Sequence, residues 1–174
     1  MCNMTSVAAL LLGSLSYACV ILLVLRFLRV NYYNPVVKSF VKLLSPLTSI
    51  FTMIAGNIVG VLLAAVTFKF ISFYIITGSA YEIFDLIVYA TFNVLSSISQ
   101  ILLFSVIGGV ILSWVSPGNP HPLLQLIDEI SDKILSPIRN YIPSMGGLDF
   151  SPLLVLIILN QVDILLASLV RVIL

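Results

Sequence analysis

The chain has 174 residues, of which 60% are apolar and 9% are charged, whereas about 25% of residues are charged in an ordinary soluble domain. A soluble core of this length cannot bury so much apolar surface, so the composition indicates an integral membrane protein. The formal charge of +1 excludes a basic nucleic-acid-binding protein. Because the sequence has only two cysteines and one histidine, we expect neither a disulfide framework nor a metal site, and we predict no cofactor.

Four uncharged stretches are long enough to cross a bilayer as helices. A hydrocarbon layer of about 30 Å requires about 20 helical residues. The third stretch is longer than one crossing needs, so its helix is expected to tilt or to bend, and the Gly108-Gly109 pair is a place where it could bend. The predicted spans are Ser6 to Leu25, Leu47 to Phe68, Leu86 to Val115 and Pro152 to Val170.

The basic residues are distributed unequally over the connections between these spans. Of the eight Lys and Arg residues, six lie in the first and third connections, one lies in the middle connection and one lies near the C-terminus. The positive-inside rule therefore places the first and third connections in the cytoplasm. Both termini are predicted to face the opposite side of the membrane.

Each of the two long connections contains an amphipathic segment that is too short and too charged to span. In Pro35 to Ser45, and again in Pro122 to Ser136, apolar residues share one helical face and polar residues the other. Both segments begin at a proline, which is typical of a first helical turn. We expect helices that lie at the cytoplasmic membrane interface. The alternative is a solvated connector that packs on its own bundle.

The order of a span, a basic segment, an amphipathic helix and a second span occurs twice. We therefore predict two tandem repeats, residues 1–78 and 79–174, and match Tyr33-Asn34-Pro35 in the first to Gly118-Asn119-Pro120 in the second. Two crossings per repeat give both repeats the same orientation, with a symmetry axis along the membrane normal. The predicted fold is an all-α integral membrane protein with four transmembrane helices and amphipathic interfacial helices.

The second repeat contains a motif that resembles the signature of a known family. Its segments SWVSPGNPHP, DKILSPIR and IPSMGGLDFSP are similar to those of the YggT family of small bacterial and plastid multi-pass membrane proteins, in its two-copy bacterial form. The sequence departs from that pattern at Lys133, where proline is frequent, and at Asn140, where a second arginine is frequent. The resemblance implies a non-enzymatic multi-pass protein of the bacterial cytoplasmic membrane, whose termini the positive-inside rule places in the periplasm. It also implies a role in osmotic tolerance, cytochrome maturation or cell division.

The loop after the second amphipathic segment is the predicted site of partner contact. Asp149 precedes a predicted helix N-terminus, where a carboxylate is favourable, and glycines before it permit a turn, so a structural cap is one interpretation. In the functional interpretation, Asp149 pairs with Arg139 and holds the loop at the membrane surface for a membrane or cytoplasmic protein partner. The predicted contact residues are Pro137, Arg139, Pro143, Gly146, Gly147, Asp149, Ser151 and Pro152.

Asp163 lies in the last predicted span, about 16 Å beyond its start and near the bilayer midplane. Because a carboxyl group that faces lipid is unfavourable, we expect it to face polar partners at similar depth inside the bundle. Such a group either stabilises the bundle by hydrogen bonding or belongs to a polar path. The predicted intramembrane polar residues are Asn57, Asn93, Gln100, Asn160 and Asp163.

The second predicted span has a stripe of small residues. Gly56, Gly60 and Ala64 recur every four residues, which predicts close helix packing within the chain or in a homo-oligomer. The loop motif favours a non-enzymatic scaffold or assembly factor in the lipid bilayer. The alternative is a small ion or solute conduit with a polar path past Asp163. An enzyme is not expected, because one histidine and one mid-membrane acid supply no paired nucleophile and base.

Overall fold

The computed structural model describes residues 4–78, 80–118, 120–141 and 149–173, and the regular secondary structure in these ranges is entirely α-helical. Five of the helices are long and apolar enough to cross a membrane, one more than the four spans expected. The all-α membrane class is confirmed. The six helices are α1 (Met4–Phe27), α2 (Pro35–Ala55), α3 (Asn57–Thr77), α4 (Ile83–Val115), α5 (Pro122–Arg139) and α6 (Ser151–Ile173).

The helices α2 and α5 begin in the same way. Asn34 Oδ1 accepts a hydrogen bond from the backbone N–H of Val36 at 2.9 Å, and His121 Nδ1 accepts one from Leu123 at 3.3 Å. Each capping residue is followed by a proline in the first turn, where the missing N–H has no helical partner. Both helices thus begin with a side-chain cap followed by proline, which is Asn34-Pro35 in α2 and His121-Pro122 in α5.

The predicted second span is wrong as a single helix. Gly56 has φ 79° and ψ 174°, so α2 ends there and α3 begins at the next residue. This positive φ favours glycine because other side chains would clash with the backbone. The stretch predicted as Leu47 to Phe68 is divided between the two helices, and its first part continues the amphipathic segment through Pro46.

Serine side chains connect α1 and α3 as an antiparallel pair. Ser16 Oγ donates to the carbonyl of Ala65 at 2.7 Å, and Ser72 Oγ donates to the carbonyl of Ala9 at 2.8 Å. These small side chains satisfy their hydroxyl groups on the neighbouring backbone and let the two helices approach closely. Near the other end of the pair, the C-terminal end of α1 lies beside the N-terminal end of α3.

The helices α4 and α6 form a second antiparallel pair. Ser99 Oγ donates to the carbonyl of Leu159 at 3.2 Å, and Ser96 lies one turn earlier beside Asp163. At its end near α5, the pair encloses an apolar cluster with that helix, whose buried members are Val106, Leu135 and Val155.

A further apolar cluster joins the first two helices to α5. It combines the end of α1, the following turn, the first part of α2 and the buried face of α5. The helix α5 is amphipathic, so its apolar face packs inward while Asp132 remains exposed. The buried members of this cluster are Leu25, Val30, Val37, Leu126 and Ile130.

Candidate functional site

The candidate site lies where α5 ends and α6 begins. Arg139, the last residue of α5, donates from Nε to Asp149 at 2.7 Å and from Nη1 to Asp132 at 2.9 Å. The second oxygen of Asp149 accepts a hydrogen bond from the backbone N–H of Ser151 at 2.9 Å. One guanidinium therefore links two carboxylates, and one of these carboxylates also caps α6.

These contacts change the titration of both partners. Burial opposes the charged form of Asp149, but hydrogen bonds from Arg139 and Ser151 outweigh it and hold the pKa of Asp149 below its usual range. Burial also opposes the charge of Arg139, and the hydrogen bonds to Asp149 and Asp132 outweigh that effect and raise its pKa. Both groups are therefore ionised at neutral pH.

A cavity of about 310 Å³ opens beside the ion pairs, between α4, α5 and α6. Its lining includes the carboxylates of Asp128, Asp132 and Asp149, the guanidinium of Arg139 and the indole of Trp114. Three carboxylates against one guanidinium make the cavity acidic, so it suits a cationic group better than an anionic one. Within the described ranges, no cluster of His, Cys, Asp and Glu is arranged to hold a metal ion.

Two glycines allow α4 to lie close to α5 at this cavity. A Cβ atom at Gly109 would overlap the Ser131 side chain, and one at Gly108 would lie 2.8 Å from Cγ2 of Ile127. The helix α4 continues through both positions. The glycine pair, which the sequence suggested as a place for a bend, therefore has a packing role.

The helix α5 also binds the turn between α1 and α2. Lys133 Nζ donates to the carbonyl of Arg29 at 2.7 Å, and the backbone N–H of Asn31 donates to Glu129 Oε1 at 2.8 Å. Lys133 and Glu129 form an ion pair at 3.4 Å. Lys133, one of the two residues at which the sequence departs from the family pattern, thus forms a contact between the two halves of the chain. This contact was not predicted, because nothing in the local sequence marks a lysine that binds a distant carbonyl.

The predicted loop residues are only partly within the described ranges. The carboxylate of Asp149 accepts a hydrogen bond from the guanidinium of Arg139, as predicted. Pro137 lies exposed in the last turn of α5. The hydroxyl of Ser151 is fully buried and has no hydrogen-bond partner among the described residues. Pro152 follows in the first turn of α6 and lines the cavity. The predicted residues outside the described ranges are Pro143, Gly146 and Gly147.

Within the membrane-spanning part, Asp163 binds a serine rather than an amide. Its Oδ1 accepts a hydrogen bond from Ser96 Oγ at 2.8 Å, and Gln100 Nε2 donates to the same hydroxyl at 3.4 Å. Ser96 was not among the predicted polar residues, although its position one turn before Gln100 offered a local signal. Asn93 lies nearby and lines a cavity of about 240 Å³ that also includes Ser96 and Arg171.

Two predicted polar residues do not belong to this group. Asn57 is the first residue of α3, and its carbonyl accepts a hydrogen bond from Arg26 Nη1 at 3.1 Å. The prediction that Asn57 lies at the depth of Asp163 is wrong, because the helix begins at Asn57 rather than at Leu47. Asn160 is exposed on α6 and makes no hydrogen bond through its side chain within the described residues.

The small residues of the predicted second span have separate structural roles. Gly56 forms the break between α2 and α3 and does not contact a helix face. A Cβ atom at Gly60 would lie 2.5 Å from the carbonyl oxygen of Phe51 and 2.6 Å from Cα of Thr52. Ala64 is fully buried one turn later. The close approach at Gly60 is therefore between α3 and the backbone of α2.

Comparison with known proteins gives the family of this chain. The family model described as CCB3/YggT matches residues 88–170, which contain α5 and most of α4 and α6. An uncharacterized protein of Pseudomonas aeruginosa is 32% identical over 168 residues, covering 90% of this chain and 85% of that protein. An uncharacterized protein of Haemophilus influenzae is 32% identical, with 88% of each chain covered. The uncharacterized protein YggT of Escherichia coli is 26% identical, with 84% of this chain and 80% of that protein covered. No solved structure matches. The family resemblance seen in the sequence is confirmed, and the chain belongs to the CCB3/YggT family.

Proposed function

We propose that the protein is a non-enzymatic scaffold or assembly factor of the bacterial cytoplasmic membrane, and that the junction of α5 and α6 binds a cationic segment of a protein partner. The observation that supports this is the acidic cavity beside Arg139 and Asp149. The ion pairs hold the two helix ends in place, so a partner would meet a preorganised surface. A role in osmotic tolerance, cytochrome maturation or cell division would act through such a partner.

The proposed topology has four spans in two repeats, α1 with α3 and α4 with α6, while α2 and α5 lie along one face. The hydrogen bond from Arg26 to Asn57 supports it, because it places the end of α1 beside the start of α3. The helix α2 connects these two points and is 21 residues, or about 30 Å, long. A crossing by α2 would carry the start of α3 to the opposite face. The exposed side chains of Ile50, Met53 and Ile54 on α2 are consistent with burial in the hydrocarbon just below the lipid headgroups.

Reporter fusions test this topology. With the basic connections in the cytoplasm, a periplasmic reporter placed after Gly78 or after Leu174 is expected to be active, and one placed after Pro120 is expected to be inactive. If α2 also crossed the membrane, the chain would have five spans and its termini would lie on opposite sides. Activity of a cytoplasmic reporter after Leu174, together with a periplasmic N-terminus, would contradict the proposal.

Cross-linking from the cavity rim tests the scaffold function. We propose a photoreactive residue at Trp114, which lines the cavity, and a matched one at Phe104, which is exposed on the same helix away from the cavity. The first is expected to capture a discrete protein in membranes, and the second to capture lipid. Charge reversal by Asp128→Lys should abolish the protein adduct, whereas Asp128→Asn should only weaken it. An adduct unchanged by Asp128→Lys, or one with lipid alone, would contradict the proposal.

The packing between the two cavities favours a scaffold over a conduit. One cavity lies at the α5–α6 junction and the other lies beside Ser96 and Arg171. Between them, Val106 of α4 and Val155 of α6 belong to one buried apolar cluster and are 0% and 3% exposed. A conduit past Asp163 would require water to pass this apolar cluster.

A further inference from the structure

The structure places a lysine inside a membrane-spanning helix. Lys69 lies in α3, about 18 Å along the helix from Asn57, and not in the connection where the sequence predicted it. Among the described residues it forms no ion pair. A cation in hydrocarbon is unfavourable unless its side chain reaches an interface or an anion, so the position of Lys69 requires an explanation.

The side chain of Lys69 extends along α3 toward the C-terminal end of that helix. Its Nζ lies 5.0 Å from the centre of the Phe73 ring, one turn later. The Phe73 ring packs edge-on against Tyr89 of α4, with the ring centres 4.6 Å apart. The ammonium group of Lys69 therefore lies near the level of Tyr89.

A second basic residue reaches this level from α6. Arg171 is exposed and, together with Tyr89, lines the cavity of about 240 Å³ between α4 and α6. Within the described ranges, its side chain forms neither an ion pair nor a hydrogen bond. Lys69 and Arg171 are the two basic residues that lie in the half of the bundle remote from α5.

The level of Tyr89 matches the far edge of a bilayer. Tyr89 lies about 28 Å along α4 from Gly108, where α5 packs on this helix. The hydrocarbon layer is about 30 Å thick. With α5 at one membrane surface, as proposed, the cationic groups of Lys69 and Arg171 therefore lie where the lipid headgroups of the opposite leaflet begin.

The lining of the cavity is suited to an anionic group that is attached to apolar chains. Arg171 is the one charged residue in this lining among the described residues, whereas the cavity at the α5–α6 junction is acidic. Asn93 lies about one turn deeper than Tyr89, and its side-chain amide has no hydrogen-bond partner within the described part of the chain. The apolar residues of the lining are Phe92, Leu166, Ala167 and Val170.

Two carboxyl groups lie on the same helices but do not line the cavity. Asp163 is about 12 Å along α6 from Arg171 and accepts the hydrogen bond from Ser96 at the deep end. Asp85 lies in the first turn of α4 and forms no ion pair with any described residue. The charges of Arg171 and Lys69 are therefore not neutralised by a carboxylate in the described structure.

We propose that this cavity binds one anionic glycerophospholipid, with its phosphate near Arg171 and Lys69 and its ester carbonyls beside Asn93. Such a lipid presents an anionic phosphate, then carbonyl oxygens that accept hydrogen bonds, then acyl chains, in the order that the residues require. A zwitterionic headgroup adds an ammonium group, for which the described lining offers no carboxylate. The site lies at the opposite end of α4 from the proposed partner surface and does not depend on it.

Tryptophan quenching by lipids with brominated acyl chains tests the site. The full chain carries Trp114→Phe and Phe92→Trp, so that its single tryptophan lines the cavity. In the matched chain, Trp114→Phe is combined with Ile87→Trp, which is on α4 outside the lining and is 47% exposed in the wild type. We expect phosphatidylglycerol to be preferred over phosphatidylcholine at least fivefold at Phe92→Trp and about equally at Ile87→Trp. The same preference at both positions would overturn the proposal.

Charge substitutions in the Phe92→Trp chain identify the cations. Arg171→Gln and Lys69→Gln are each expected to lower the preference for phosphatidylglycerol by up to about fivefold. Arg171→Lys and Lys69→Arg should retain most of it, because they keep the charge. Lys42→Gln is the matched control, since it removes one exposed positive charge from α2, at the other membrane surface. An unchanged preference in either glutamine variant, or an equal loss in Lys42→Gln, would contradict the assignment.

A second probe and a competitor distinguish a bound lipid from a free anion. Tyr89→Trp lies on the same cavity at a position that is 39% exposed, so it needs no buried space and should report the same preference. Inorganic phosphate should displace brominated phosphatidylglycerol no more than chloride does at equal ionic strength, because it has no acyl chains to contact the apolar walls. Displacement by inorganic phosphate, or equal quenching by both lipids at Tyr89→Trp, would refute lipid binding at this site.

Discussion

The substitution Gly60→Ala tests the close approach of α3 to the backbone of α2. The added Cβ atom would lie 2.5 Å from the carbonyl oxygen of Phe51 and 2.6 Å from Cα of Thr52. These are backbone atoms of α2, held by helical hydrogen bonds and by the turn at Gly56, so they cannot rotate away. The two helices must separate to accept the methyl group.

The expected magnitude follows from two opposing effects. Replacing glycine by alanine inside a helix stabilises it by up to about 1 kcal/mol. Inserting a methyl group into a tightly packed contact destabilises by about 1–3 kcal/mol. Because the obstructing atoms at Gly60 are backbone rather than the end of a flexible side chain, the upper part of that range applies. We expect Gly60→Ala to lower the free energy of unfolding by about 1–2 kcal/mol.

The assay is unfolding in mixed micelles, followed by helical circular dichroism as the fraction of denaturing detergent rises. Gly13→Ala is the matched control, since its Cβ would lie at an ordinary 3.4 Å from Ser72 Oγ. That variant should be as stable as the wild type or more stable by up to about 1 kcal/mol. If Gly60→Ala proved as stable as Gly13→Ala, the close approach of α3 to the α2 backbone would be refuted.

Three further predictions concern charged groups. Arg139 and Asp149 should show a coupling of about 0.5–1 kcal/mol in a double-mutant cycle of Arg139→Gln and Asp149→Asn, small because both side chains are partly exposed, and high salt should reduce it. Because folding lowers the pKa of Asp149, its contribution should be complete above the ordinary aspartate pKa of about 3.9 and be lost as the pH falls below it; acid unfolding of Asp149→Asn should lack this component. Asp163→Asn should fold normally because an amide still accepts the hydrogen bond from Ser96, whereas Asp163→Leu should reduce stability by about 1 kcal/mol. Complementation of a deletion strain separates the roles, since a folded but inactive Asp163→Asn would favour ion or proton carriage.

The parts of the fold that the sequence predicted well are those encoded in local composition. Long uncharged runs place α1, α4 and α6 to within a few residues of their observed ends. The spacing of Leu123, Ile127, Ile130 and Ile134 against Asp128 and Asp132 predicts two faces for α5, on which Ile130 is buried and Asp132 is exposed. Each of these signals lies within one turn or one run of the chain, so no distant contact is needed to read it.

The break at Gly56 was not predictable from the same signals. Hydropathy is continuous across it, and a glycine every four residues resembles a helix-packing stripe. The φ of 79° at Gly56 is imposed by the tertiary arrangement, in which α3 must return along α1. The error then propagated to Asn57, which was placed inside a span although it begins a helix.

The contacts at the candidate site also differ in whether the local sequence or the tertiary packing determines them. The pairing of Arg139 with Asp149 involves residues ten positions apart at the ends of adjacent helices, and the sequence suggested it. The bond from Ser96 to Asp163 joins residues 67 positions apart, and the bond from Lys133 to Arg29 joins residues 104 positions apart. Ser96 had a local signal in its position one turn before Gln100, but the choice of Asp163 as its partner, like that of Arg29 for Lys133, depends on the packing of the helices.

The two proposed repeats use one helix order for different purposes. In the first repeat, α2 continues past Pro46 as an apolar segment and ends at the Gly56 turn. The connection to α3 is therefore short and contains no charged side chain. In the second, the equivalent helix ends in Arg139, and a longer connection carrying Asp149 leads to α6. Polar groups are unfavourable next to hydrocarbon and are retained where they bind something. This asymmetry is the reason to expect partner binding at the second junction and a structural role for the first.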